Sequence, residues 1–163
     1  MIERINHGNV ELALILRSNF KKEGIEFLTP NNYSQQLGYM GRPRGYVIAP
    51  HVHNPVAREV MYTKEVLFIK SGKVRVDFYD EAQNYLESRL LGSGDVILLA
   101  FGGHGFEMLE DSEIVEVKQG PYAGDLDKTR FDPISRTEHQ IVTPSYATDN
   151  FNLDNHPIKK AEP

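Results

Sequence analysis

Two histidines one residue apart, His51 and His53, are the residues of this 163-residue chain best spaced to do chemistry. On an extended segment, side chains two apart leave the same face, about 6–7 Å from each other. Both imidazoles could then aim a lone pair at one point. Imidazole suits zinc, iron, nickel and copper, and an added carboxylate favours the harder iron and manganese. Two carboxylates follow: Glu59, in a polar connection, and Glu65, at the head of the apolar run EVLFIK. A third histidine, His104, follows the glycine-containing stretch GSGDVILLAFGG. Three histidines and one carboxylate leave one or two positions of an octahedral shell open. An open position is what a catalytic or ligand-binding metal requires.

The elements that must position these residues read as strands. Residues 10–17, then IEFLTP, then Tyr46 to His53 are extended in pattern. In the last of these Val47, Ala49, His51 and His53 share a face, and Pro50 points to an edge or a bulge. Further strands are expected at EVLFIK, VRVDFY, Tyr85–Leu91, VILLAF, HGFEML and EIVEVKQ. Short turns holding Gly or Asp separate them. Strands recurring at this spacing predict an antiparallel sandwich or barrel, all-β in class. Gly72, Gly92 and Gly94 read as turn residues of positive φ. Asp95 reads as a turn-fixing carboxylate that bonds backbone amides. After Gly120 the chain becomes polar and turn-rich, with one helical turn expected near Asp125 to Lys128. Residues 1–134 form one expected domain, and residues 135–163 an extended C-terminal arm or tail.

Composition narrows the function. The net charge is −5, and Lys and Arg are spread out, so neither nucleic acid nor an anionic membrane surface is an expected partner. No apolar run approaches the ~20 residues of a membrane span. The absence of cysteine removes disulfides, thiolate metal sites and cysteine nucleophiles. With no secretory pattern at the N-terminus, the expected location is cytoplasmic.

The order His51-x-His53, Glu65, Gly72, then GSGDVILL and His104, resembles the two motifs of the cupin superfamily across residues 45–120. The resemblance implies a double-stranded β-helix, a small jelly-roll barrel. It also implies one divalent transition metal (Zn, Fe, Mn or Ni) held by His51, His53, Glu65 and His104. Two features depart from the family. Eleven residues, Asn54 to Lys64, separate His53 from Glu65, which makes Glu59 a rival ligand. The turn before His104 reads AFGGH, with Ala100 where the family has proline.

Around such a centre the inward side chains of a small barrel line its mouth. Glu59, Lys64 and Tyr62 are the expected acid/base groups. Arg58, Gln119 and Phe106 are expected against substrate, with Gln119 inward on the face of Val115 and Val117, and Phe106 and Met108 beside His104. The inserted loop is an expected lid. His7, His139 and His156 are expected at the surface. The leading expectation is a metal-dependent enzyme, an isomerase or oxygenase, acting on a small polar substrate that is carbohydrate-like or a keto or hydroxy compound. The whole-chain pattern resembles bacterial cupins linked to surface-polysaccharide sugar pathways. One alternative is a metal-free sugar-nucleotide isomerase or epimerase using histidine as base. Another is a non-catalytic small-ligand-binding cupin. The first strands, LALILR and IEFLTP, are apolar enough to need cover, and the resemblance implies a homodimer, because such N-terminal strands of the family often cross to a partner subunit.

Overall fold

The computed structural model describes residues 1–121, 123–135 and 138–143. Among the described residues ten strands form three antiparallel sheets. They are β1 (Ile2–His7), β2 (Val10–Leu16), β3 (Gly24–Phe27), β4 (Gly38–Gly41), β5 (Glu65–Ser71), β6 (Lys73–Tyr79), β7 (Tyr85–Gly92), β8 (Val96–Leu99), β9 (Gly103–Met108) and β10 (Glu113–Lys118). One sheet has the order β1-β2-β8-β5-β10, a second β7-β6-β9, and β3 pairs with β4 alone. A 3-10 turn, Gly124–Leu126, falls where a helical turn was expected. No helix among the described residues is long and apolar enough to cross a membrane.

The larger two sheets share one apolar core. Alternate residues supply it, as a pleated strand demands: Val74, Val76 and Phe78 of β6 meet Leu67 and Ile69 of β5 and Ile97 and Leu99 of β8. Burying such side chains contributes about 1.5–3 kcal/mol each, before chain entropy is set against it. The opposite face of the five-stranded sheet is partly covered too, because Leu14 and Leu98 point away from that core and are fully buried. The connection between β3 and β4 ties to this side. Arg4 donates to the Leu28 carbonyl at 2.6 Å and Gln35 pairs with Gln119.

Two turns fix the frame. Gly72, at φ +85°, turns the chain from β5 of one sheet into β6 of the other, and a Cβ there would lie 2.3 Å from the Asp111 carbonyl oxygen. Asp95 closes the β7–β8 turn as expected. It accepts from the Gly92 and Ser18 amides at 3.0 and 2.8 Å and from Arg17 at 2.8 Å. Gly94 has the expected positive φ; Gly92 does not, because it ends β7 in extended backbone paired with Lys73.

Three expectations need correction, and one strand went unforeseen. The N-terminus is a strand, β1, paired with β2 through a turn at Gly8, whose φ is +59°. Residues 46–53 form no strand. Pro50 has no N–H to give, and the regular backbone pairing of the chain stops at Gly41 and resumes at Glu65. In β10 the inward residues are Ile114, Glu116 and Lys118, whereas Val115 and Val117 are exposed. A register shift between Glu113 and Ile114 sets Ile114 opposite Ile69 and so reverses the expected alternation. Finally, the His139 side chain is buried. Residues 138–142 lie along β7, with the Ser88 amide donating to the Gln140 carbonyl and the Val142 amide to the Ser88 carbonyl. This puts His139 Nδ1 3.5 Å from Asp77. His7 is exposed as expected. His156, with the rest of the expected arm from residue 144 onward, lies outside the described residues.

Candidate functional site

Glu65 is the first residue of β5, the strand that lies between β8 and β10. Strand alternation puts it on the core side with Leu67 and Ile69, and it is buried. His104 is on β9, in the facing sheet, carried there by the Gly102–Gly103 turn. That turn demands glycine: Gly102 has φ +71°, and a Cβ would stand 2.6 Å from the Tyr79 carbonyl oxygen. The outcome is a contact across the two sheets, with His104 Nε2 3.1 Å from Glu65 Oε2.

Two recesses meet at this pair. The larger, about 480 Å3, is walled by Tyr62, Tyr79, Phe101 and Phe131 and rimmed by Asp127 and Lys128. The smaller, about 400 Å3, runs between β9 and β10 past Phe106, Met108 and Glu116. Volumes of this size suit a small-molecule site. The hydrogen bond from His104 holds the Glu65 carboxyl below the usual carboxylate range, against the opposing effect of burial. Lys128 and Lys118 add to the lowering, with Lys118 Nζ 4.0 Å from Glu65.

His51 and His53 lie outside this centre. They sit on the irregular connection between β4 and β5, exposed, with ring centroids 5.3 Å apart. His51 Nδ1 is 3.0 Å from the Ala49 carbonyl oxygen. Among the described residues no three His, Asp or Glu side chains converge as a metal site. The four expected ligands therefore come as two pairs, Glu65 with His104 and His51 with His53. Glu59 and Arg58 belong to the same exposed connection, and Arg58 donates to the Val56 carbonyl at 3.5 Å. Of the two rival carboxylates, Glu65 is the one set beside a histidine.

The remaining expected residues divide. Tyr62 lines the larger recess and Phe106 the smaller, with the Phe106 ring 5.4 Å from that of His104. Lys64 does not line either recess. Its ammonium is buried over the rings of Phe101 and Tyr33, at 4.5 and 5.1 Å, and burial pushes its pKa down. Gln119 does not point inward. Its side-chain oxygen accepts from the Lys64 amide at 2.5 Å, and its side-chain nitrogen donates to Gln35 at 2.9 Å, so it ties three segments together.

Sequence reasoning missed the segment after the 3-10 turn. Asp127, Lys128, Arg130 and Phe131 all border the larger recess. Phe131 packs edge-to-face on Tyr79 at 5.0 Å, and Asp127 accepts from the Thr63 hydroxyl at 3.1 Å. The available signal was the charge-dense DKTRF beside an aromatic residue, in a stretch otherwise without hydrophobic period. No family model, curated protein or solved structure matches this chain.

Proposed function

We propose that this chain is a cupin in which Glu65 and His104 form one half of a metal centre and His51 and His53 the other. The observation that carries the reading is the Glu65–His104 contact of 3.1 Å at the junction of two recesses between the sheets. Three features of the chain support completion of the set. The connection bearing the histidines runs directly into Glu65, and its eleven residues after His53 span up to ~35–40 Å when extended. It presents Val47, Val52 and Met61 to water at 80%, 87% and 81% exposure, so closing it over the recess would bury apolar surface. And β9 is an edge strand of its sheet, so residues 46–53 could add along it and carry both histidines towards His104.

A divalent metal held there would supply Lewis acidity to a carbonyl or hydroxyl oxygen of a small polar substrate. The side chains do the rest. Glu65 and His104 hold the centre, Tyr62 offers a phenol as proton donor at the wall, and the connection carrying Glu59 and Arg58 excludes water when closed. This reading makes the protein an isomerase or oxygenase of carbohydrate-like or keto and hydroxy compounds, with a place in surface-polysaccharide sugar chemistry and in the cytoplasm. It includes a homodimer, since Phe68 and its cross-strand partner Val115 expose an apolar face beside Val117. Titration of the metal-stripped protein with Mn2+, Ni2+ and Zn2+ by calorimetry tests it. One saturable site, lost in Glu65→Gln and in His104→Ala, is expected; equal binding by those variants would refute it.

One observation favours a second reading. A carboxylate hydrogen-bonded to one imidazole nitrogen orients the ring and leaves the other nitrogen free to take a proton, which is the arrangement of a histidine general base. Glu65 does this for His104 Nε2. In a metal-free isomerase or epimerase His104 Nδ1 would be that base. Activity that survives exhaustive chelation but not His104→Ala would select it.

A further inference from the structure

We propose that the cavity takes a small molecule bearing an anionic group, a carboxylate or a phosphate, and that Lys128 is the residue that reads that group. The proposal rests on Glu65 and His104 marking a small-molecule site. Lys128 lines both recesses that meet there. Its neighbours in charge have partners already. Glu65 is engaged by His104, Asp127 by the Thr63 hydroxyl, and Lys118 lies 3.6 Å from Glu116 and 4.0 Å from Glu65. Lys128 is exposed at the mouth, and among the described residues no carboxylate stands within ion-pair distance of it.

An ammonium so placed has two uses. It can stabilise the Glu65 carboxylate at long range, or it can take an anion that enters the recess. The second use fits the rest of the wall. Tyr62 with Phe101 and Tyr79 with Phe131 form two edge-to-face pairs, with centroid separations of 5.7 and 5.0 Å. Aromatic faces pack against the C–H face of a ring and carry no charge to meet an anion. A chain of net charge −5 repels anions at long range, so anion recognition needs a local cation, and Lys128 supplies it at the point where both recesses open.

Ligand-observed NMR on the full chain tests this with three probes of similar shape: glucose, glucuronate and glucose 1-phosphate. Both anions, or one of them, are expected to bind while glucose binds more weakly, and the preferred anion separates a carboxylate site from a phosphate site. Lys128→Gln is expected to weaken the anion by roughly tenfold, the scale of one charge-assisted hydrogen bond, and to leave glucose unchanged. Lys128→Arg is expected to keep the preference. Anion binding that is equal in Lys128→Gln, binding of glucose as tight as that of the anions, or binding of neither anion would overturn the proposal. Anion binding that depends on Lys128 but is unaffected by Glu65→Gln and His104→Ala would keep the Lys128 assignment and remove the reading of the centre on which it rests.

Discussion

Replacing Asp95 by alanine is expected to cost about 3 kcal/mol of folding stability, a factor of more than 100 in the folding equilibrium. Asp95 is buried and accepts three hydrogen bonds, from the amides of Ser18 and Gly92 and from the guanidinium of Arg17. The Ser18 amide belongs to an exposed residue, which water can serve after the change, so its loss costs only about 0.5–1 kcal/mol. The Gly92 amide is half-buried at the end of β7 and costs about 1 kcal/mol. Arg17 keeps Glu3 and the Leu90 carbonyl, so its loss is about 1–2 kcal/mol rather than that of a stranded buried charge. Asp95→Asn retains one acceptor oxygen and is expected to cost about half as much. The measurement is urea denaturation of the three proteins, with m-values held equal as a check that the compactness of the unfolded chain has not changed. A loss below about 1 kcal/mol for alanine, or an asparagine variant as unstable as the alanine one, would refute the assignment of this turn to its carboxylate.

Three further outcomes follow from the geometry. Gly102→Ala is expected to destabilise by about 2–4 kcal/mol, because it combines positive φ with a clash against the Tyr79 carbonyl and Leu12; thermal unfolding reads this, and a change under 1 kcal/mol would contradict it. Lys64→Met is expected to leave stability within about 1 kcal/mol, since a desolvated ammonium is exchanged for an apolar chain of similar volume over the same rings; a loss above 2 kcal/mol in chemical denaturation would show that the cation itself holds Phe101 and Tyr33. Glu65 has a folded-state pKa below its ordinary 4.5, so the stability it contributes is present above that value and is lost as pH falls through the lowered one; Glu65→Gln should therefore have a flatter stability profile on the acid side, and parallel profiles would refute the coupling to His104.

Much of this architecture is legible in the chain because its middle part is built from short alternating strands joined by tight turns. EVLFIK, VRVDFY, HGFEML and EIVEVKQ each read as strands, and β5, β6, β9 and β10 occupy them with ends differing by a residue or so. Glu65 on the face of Leu67 and Ile69, and His104 on the face of Phe106 and Met108, follow from the same two-residue period. The readings that did not hold depend on non-local pairing. The bulge between Glu113 and Ile114 is imposed by β5, and it turned Gln119 from the cavity to Lys64 and Gln35. His139 stands in a polar stretch that gives no sign of burial, because burial comes from pairing with β7, more than fifty residues earlier in the chain. The stretch 46–53 has a strand's alternation, but local pattern cannot supply a partner strand, and regular pairing skips it. The β1 strand was hidden because Ile2 and Ile5, three residues apart in one continuous register, fall on opposite faces and show no alternation.

Elemental analysis of the full chain purified without chelator, beside a His51→Ala, His53→Ala double variant, tests the central claim most directly. The account predicts near-stoichiometric iron, manganese, nickel or zinc in the parent and little in the variant, because the exposed histidine pair must join Glu65 and His104 to hold the ion. Equal metal in both, or none in the parent even after reconstitution, would contradict it. A metal-free parent would leave the Glu65–His104 pair to act as a carboxylate-oriented base.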